Sequence, residues 1–567
     1  MTPPPTPPPP MTPRPTARAG PAGGRLVAGL AGSAALVAAI TLAARAAGFG
    51  RVFVFSGSVG AAGCTGTAYA AANLLPNVLF EVVAGGALAG AVVPAVAGAL
   101  ARGGDAEAGR VASALLTWAV VALTPVALLL AVLAGPVTGL LLDDTGCPGI
   151  GALAARMLVV FAPQVVLYGV GIVLAGVLQA YHRFAGPALA PLLSSVVVAG
   201  AYLGYAALAG PAHRAASFVP APAAELVLAG GTTAGVAVLS LPLFLPARRT
   251  GVKLRPTLRF PPGVAGPVRA LALAGVATLA TQQAAVVAVL ALAGHAGVLG
   301  VLNVYQYGQA VYLLPYAVLA VPLATAAFPR LARQAADGDT AAFGRTASTT
   351  TRAVLAASAV GAAVLVATAP AVQRVFEHVD VNGGVVLGSL GAAVTALAPG
   401  LLGWGLVAHL GRALNALHRG REAAVATAAG WLAVVVASLV AVRVVEGVAG
   451  GAGGGTVVGL AVGNTVGMTV AGGLLLVAVR RAAGSPATHG VPGTLLRALL
   501  AGAAGAAAGR VGADAVARGA DGLAGALLAG LAGALVAVAV AGGALAATER
   551  GLLAPVLARR RRGARDD

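Results

Sequence analysis

Fourteen apolar segments, each long enough to cross a bilayer at 1.5 Å per helical residue, run through this chain. They lie at approximately 26–55, 67–100, 111–141, 152–180, 186–209, 223–246, 265–293, 297–328, 347–374, 384–416, 423–445, 456–479, 495–513 and 522–547. Hydrocarbon offers backbone N–H and C=O groups no partner, so such segments must satisfy them internally, as helices. Only 9% of the 567 residues are charged and 59% are hydrophobic, against about 25% charged in soluble domains. The fold class is an all-α polytopic membrane protein with about fourteen transmembrane helices. Residues 1–24, MTPPPTPPPPMTPRPTARAGPAGG, read as a disordered Pro-rich tail. The apolar run after them exceeds the roughly 7–15 residues of a signal-peptide core, and it is taken as a retained first span.

Formal charge is +19. On a soluble chain that would suggest nucleic acid, but no basic aromatic platform is present. The basic residues instead collect in the N-terminal tail, in the loops after even-numbered segments and in the C-terminal tail, which together hold 28 of the 36. Loops after odd-numbered segments, such as SGSVGAAG, DDTGCPG and AGHAG, are nearly bare. The positive-inside rule then puts both termini in the cytoplasm of a multi-pass cell-membrane protein. Cys64 and Cys147 both fall at the outer face. There they can form a disulfide or remain two unpaired small residues.

Motifs of soluble enzymes are missing: no Walker A, no G-x-S-x-G, no H-E-x-x-H and no paired Cys metal box. No catalytic residue, metal site or cofactor is expected. Energy for transport would come from a substrate gradient, the membrane potential or a monovalent cation.

The informative residues are ionisable or amide groups inside apolar segments, where they mark function by default. The first segment carries Arg45 and Arg51 in LAARAAGFGRVFVF, about 9 Å apart along a helix and ~120° apart around it. Gly48 and Gly50 can bend the helix so that both heads face one cavity. Two guanidiniums suit a diphosphate; the alternative is that they snorkel to the outer headgroups. The second segment reads NLLPNVLFEVVAGGALAGAVVP, with Asn73, Asn77 and Glu81 as polar groups and Pro76, Gly85 and Gly86 as bending points. Glu81 can pair with an arginine, hold a cation or carry a proton, or be buried for packing alone. The eighth segment presents Gln306 and Gln309 on one face, with Tyr312 and a hinge at Pro315. It reads as a cavity wall or as a helix glued to its neighbours by polar side chains. Gln282 and Gln283 in the seventh segment add weaker polar lining.

The stretches ARAAGFGRVFVF, NLLPNVLFEVVAGGALAGAVVP, YHRFAGPALAPLLSS and QAVYLLPYAVLAVPLATAAFPRLA closely resemble the MurJ/MviN family, particularly its actinobacterial branch, over roughly residues 25–480. The resemblance implies the multidrug/oligosaccharidyl-lipid/polysaccharide exporter fold: two six-helix lobes around a central cavity, plus two C-terminal helices that can form a groove for a lipid tail. It divides the chain into an N-lobe at 25–246, a basic linker at 247–264, a C-lobe at 265–481, two additional helices at 495–547 and a basic tail at 548–567. It implies a flippase that moves lipid II, the undecaprenyl-diphosphate-linked peptidoglycan precursor, to the outer leaflet by alternating access. Arg45 and Arg51 match two cavity arginines that the family links to the diphosphate. Membrane lipids and cell wall synthesis proteins are the implied partners.

Three positions depart from that pattern. Thr67 stands where Gram-negative lipid II flippases carry an acid, and Phe80 and Ala310 where they carry arginines. Fewer fixed cations line this cavity, which keeps open another lipid-linked glycan, a drug-like cation or a non-transporting envelope scaffold.

Overall fold

Helices carry the described chain from end to end. The computed structural model describes residues 21–82, 89–142, 147–449 and 453–549, with no strand among them. The first half contains α1 (Pro21–Ser58), α2 (Cys64–Phe80), α3 (Ala89–Val132), α4 (Ala134–Leu141), α5 (Ile150–Phe161), α6 (Gln164–Ala180), α7 (Ala185–Ala209) and α8 (Pro222–Ser240). A short α9 (Phe244–Arg248) leads to the second half. This comprises α10 (Ala265–Gly294), α11 (Val301–Pro315), α12 (Val321–Ala336), α13 (Thr340–Val379), α14 (Leu390–Leu397), α15 (Gly400–Ala416), α16 (Gly420–Ala449) and α17 (Gly454–Ala483). Two more helices follow, α18 (Val491–Ala517) and α19 (Gly522–Thr548).

Eleven helices among the described residues are long and apolar enough to cross a membrane, or twelve if the bent pair Val385–Leu397 and Gly400–Ala416 is one span. The sequence reading expects fourteen spans over the whole chain, whereas this count is of the described residues. Within the second apolar segment α2 ends at Phe80, followed by a π-helical turn at 81–82, and α3 begins at Ala89. Gly103 and Gly104 interrupt α3 with non-helical angles, so one long candidate covers two expected segments. The seventh segment lies in α10, a single helix from Ala265 to Gly294. Gly85 and Gly86, expected as bending points, lie outside the described residues. The helix α1 starts at Pro21, inside the stretch expected to be disordered; proline at the first helical position loses no hydrogen bond and presets φ.

The two halves repeat one packing plan. In the first, α1 packs on α7, α7 on α8, α3 on α6 and α2 on α5; in the second, α10 packs on α16, α16 on α17, α13 on α15 and α11 on α14. The chain echoes the repeat. Helix α5 breaks into α6 at Ala162–Pro163, and α14 into α15 at Ala398–Pro399. LQAYHR (178–183) and LNALHR (414–419) then end α6 and α15, with His182 and His418 both at positive φ.

Each break leaves carbonyls without helical partners, a costly state in hydrocarbon. The halves solve this alike. Thr233 on α8 donates to Val160 O at 2.8 Å, and Thr465 on α17 donates to Ala396 O at 2.6 Å. A hydroxyl from one helix thus supports the broken helix beside it.

One edge of the molecule, called here the basic face, carries the arginine-rich connections. The opposite, bare face carries Cys64 and Cys147, joined in a disulfide with Cα atoms 5.9 Å apart. Helices α18 and α19 pack on each other and on α13. Small residues allow close approach there: a Cβ on Gly509 would lie 2.7 Å from Gly533 O. At the basic face Glu549, 3% exposed, locks this arrangement. It pairs with Arg352 and with Arg497 at 2.9 Å, and accepts from Thr494 at 2.6 Å. Burial would raise its pKa, but the bonds from Thr494 and Arg352 and the two arginine charges hold it below the usual carboxylate value. The inter-half linker lies along α3, where Arg255 N and Thr257 N donate to Ser113 Oγ and Thr117 Oγ1, and Trp118 donates to Leu258 O.

If the threonines support the breaks, Thr233→Val and Thr465→Val keep shape but strip a bond from Val160 O and Ala396 O. Each should cost about 0.6–1.7 kcal/mol, the scale of hydrogen bonds between membrane helices. Thermal unfolding of the purified protein reads this as a lower midpoint that Ser, but not Val, restores; unchanged midpoints would remove the role.

Candidate substrate cavity

Hydrocarbon-length helices leave their polar side chains one tolerable place, the space between the halves. A cavity of about 280 Å³ lies there, lined by Arg51, Phe55, Tyr69, Asn73, Asn77, Tyr202, Asn303, Gln306 and Tyr307. Of the sequence-selected residues it brings together Arg51, Asn73, Asn77 and Gln306. A second cavity of about 240 Å³ opens within the other half and shares Leu74 and Gln306 with the first. It takes in Gln309 and Tyr312.

Arg51 is half-buried on α1 and lies within electrostatic reach of the hydroxyls of Tyr69, Tyr168 and Tyr202. Arg45 is exposed, and its charge reaches Tyr316 on the other half. The helix runs unbroken through Gly48 and Gly50, so no bend there turns both heads to one point. Their different azimuths instead direct them to different walls. Arg412 also reaches Tyr316. The sequence reading counts Arg412 as a loop residue, but it sits half-buried within α15. Its position near the end of an apolar run disguised it.

Asn77 binds its own helix, Nδ2 donating to Asn73 O at 2.8 Å, while Tyr168 OH donates to Asn77 Oδ1 at 2.9 Å. Phe80 stacks on Tyr168 with ring centroids 4.2 Å apart. Glu81 is exposed in a π-helical turn, five residues beyond the buried Pro76. Among the described residues no ion pair joins it to Arg45 or Arg51, so the expected pairing is not formed. Pro315 likewise precedes a π-helical turn, Tyr316–Ala320. Such turns absorb the hydrogen bond that proline removes. Gln309 donates to Tyr305 OH at 2.6 Å and to Asn464 Oδ1 at 3.4 Å.

Among the described residues six hydrogen bonds close the halves at the bare face. Asp380 Oδ2 accepts from Ser56 Oγ and Ala61 N, both at 2.8 Å, and Val381 N donates to Ser56 O at 3.0 Å. Asn382 Nδ2 donates to His213 O, Asn303 Nδ2 to Ala61 O, and Gly300 N to Thr67 Oγ1, each at 2.9 Å. Phe376 adds a stack against Phe53, centroids 5.0 Å apart. Thr67, the neutral stand-in for an expected acid, thus caps the start of α11. Asp380 escapes sequence reading because an acid in a loop next to NGG looks like turn chemistry. It is 8% exposed. Burial raises its pKa, opposed by hydrogen bonds from Ser56, Ala61, Asn382 and Gly383.

The family profile described as lipid II flippase MurJ matches residues 59–513. The chain belongs to the lipid II flippase MurJ family. A protein of Synechocystis sp. (strain ATCC 27184 / PCC 6803 / Kazusa) named probable lipid II flippase MurJ is 28% identical over 292 residues; the match spans 51% of this chain and about half, 53%, of that relative. Among solved structures, lipid II flippase MurJ in an inward closed conformation superposes with a TM-score of 0.71 at 16% identity, covering 91% of this chain and 99% of that one. An inward-facing multidrug resistance MATE transporter of the MOP superfamily gives 0.60 at 16% identity, covering 79% and 98%. These MurJ and MATE structures share its fold.

Two outcomes test the bare-face closure of this MurJ-family chain. Gly300 has φ +85°, and a Cβ there would lie 2.7 Å from Ala61 O and 2.8 Å from Ala62 Cα. Gly300→Ala should therefore part the halves. Nitroxide labels at Val219 and Val385, 48% and 97% exposed on opposite halves, should report a longer distance by electron spin resonance; an unchanged distance refutes the clash. The closed arrangement also holds a proton on Asp380 more tightly than an open one. Its contribution to closure is complete below the ordinary carboxylate pKa and is lost as pH rises through the raised value. The label distance should lengthen with rising pH in the parent and stay flat in Asp380→Asn.

Proposed function

We propose that this chain is a lipid II flippase of the bacterial cell membrane, with its basic face in the cytoplasm. The observation that carries the reading is an arginine, Arg51, half-buried in the cavity between two repeated halves of a MurJ-family chain. Arg45 and Arg412 extend the positive charge toward the second half. Guanidiniums pair with phosphate oxygens at a low-dielectric site far better than they do in water. An apolar groove of about 690 Å³, lined by Phe49, Phe53, Leu314, Val360, Leu527 and Leu531, suits the polyprenyl tail. The headgroup then enters while the tail stays in an apolar setting.

Alternating access follows from the same parts. The bare-face bonds hold one end shut while the headgroup loads from the cytoplasmic side. The halves then rock, with the π-helical turns after Pro76 and Pro315 as bending points. Solved MATE structures that share this fold stand in both inward-facing and outward-facing conformations. An inside-negative potential favours inward movement of the empty cationic cavity, at about 2.3 kcal/mol per charge per 100 mV. A monovalent cation is a second source of drive, with Glu81 as the exposed carboxylate available to it. Delivery to the outer leaflet puts the precursor where cell wall synthesis proteins use it.

The neutral residues at Thr67, Phe80 and Ala310 favour one competing reading, a different lipid-linked glycan. Both readings meet one experiment. Cells depleted of the protein should lose outer-leaflet lipid II in a leaflet-resolved assay. The parent gene should restore it, whereas Arg51→Ala and Arg45→Ala/Arg51→Ala should not. Each lost charge-assisted contact is worth about 1.5–3 kcal/mol, roughly a 10- to 150-fold drop in affinity. Unchanged lipid II exposure on depletion would reject lipid II as cargo; full rescue by the stable double variant would reject the arginine site.

A further inference from the structure

The second cavity carries a chemistry that the arginines do not explain. It lies among α10, α11, α15, α16 and α17, and its polar lining is Gln282, Gln306, Gln309, Asn464, Tyr305 and Tyr312, with Trp404 and Trp431 beside them. Among the described residues no charged side chain lines it. The two indoles meet edge to face with centroids 5.7 Å apart, so the pocket offers both an aromatic face and an aromatic edge.

Its polar groups are not all spent. The buried Trp404 Nε1–H makes no hydrogen bond. Asn464 is 5% exposed, and its Nδ2 and the Tyr312 hydroxyl approach one another without an aligned bond. Buried donors without partners cost about 1–3 kcal/mol each, and most buried polar groups in proteins do find one. Several such groups around one cavity point to something that fills it.

The lining selects the filler. A charged group would lose its hydration and find no countercharge. A purely apolar group would leave the amides and the indole N–H unmet. A pyranose ring satisfies both demands. Its C–H face covers aromatic carbon, and its hydroxyl rim both donates and accepts. The volume, about 240 Å³, lies just under the roughly 300–1,000 Å³ of drug-sized pockets, which is room for one ring. Because Gln306 and Leu74 line both cavities, a ring here sits next to a phosphate at Arg51.

We propose that the Trp404–Trp431–Asn464 pocket is a neutral saccharide subsite, holding an uncharged sugar ring while its attached phosphate lies toward Arg51. This rests on the phosphate-glycan reading of the first cavity, and it adds the part of the headgroup read by the second half.

Calorimetric titration of the purified full-length protein with N-acetylglucosamine 1-phosphate and with inorganic phosphate tests it. The sugar phosphate should bind at least about tenfold more tightly. Trp404→Ala and Asn464→Leu should abolish that advantage while leaving phosphate affinity as in the parent, which also shows that each variant is folded. Arg51→Ala should weaken both ligands. Equal affinities in the parent, or an advantage that survives in both pocket variants, would overturn the subsite. The leaflet assay decides the lipid II reading separately: a sugar advantage with unchanged lipid II exposure keeps the pocket and changes the cargo.

Discussion

Backbone groups exposed by a broken helix have no water to turn to inside a bilayer, and the architecture answers that constraint twice in the same way. Proline ends α5 and α14, and the carbonyls left behind, Val160 O and Ala396 O, take a hydroxyl from Thr233 and Thr465. The prolines themselves point outward, while Ala162, Gln164, Ala398 and Gly400 are buried. A proline has no N–H to satisfy, so it is a residue that can face lipid at a break. These supported breaks let both halves bend without exposing unpaired polar backbone. The π-helical turns after Pro76 and Pro315 extend the same solution to the helices that line the cavity.

Polarity is then distributed by function rather than by depth alone. The first half presents Arg51 among tyrosines and asparagines, whereas the second presents amides and indoles. An anion is stabilised on one side and a neutral polar group on the other, so a headgroup with both parts has one favoured orientation. The closure at the bare face is built largely of backbone and neutral groups around a single buried acid, Asp380. Such bonds are individually modest, which suits the proposed alternation of the two halves.

Much of this is legible in the chain, and the remainder fails for identifiable reasons. An arginine or asparagine within an apolar run stands out because hydrocarbon penalises it, and Arg51, Asn73, Asn77 and Gln306 do converge. Glu81 stands out equally, but no rule of spacing fixes a partner on another helix. Arg412 is hidden by its place near a helix end, and Asp380 by a turn-like neighbourhood. Thr233 and Thr465 look ordinary because a hydroxyl in a membrane helix commonly bonds its own backbone; their partners lie on other helices. The boundary between the second and third apolar segments is legible too, since Gly103 and Gly104 interrupt α3 there. The repeat is legible in LQAYHR and LNALHR, but only when the two halves are set side by side.

The three neutral departures acquire a physical meaning in this frame. Thr67 keeps the helix cap on Gly300 N without a charge, and the carboxylate of the closure comes from Asp380 on the other half. Phe80 exchanges a guanidinium for a ring stack with Tyr168, trading long-range attraction for contact that acts only at van der Waals distance. Ala310 leaves its wall small. Each removed cation lowers the attraction for a diphosphate, but it also removes a charge that the membrane field would drag through every return stroke, at about 2.3 kcal/mol per 100 mV for a full crossing. A cavity with fewer cations holds its anion less tightly and responds less to voltage. On the proposed saccharide reading, neutral contacts in the second half, which the field does not act on, recover affinity without that cost.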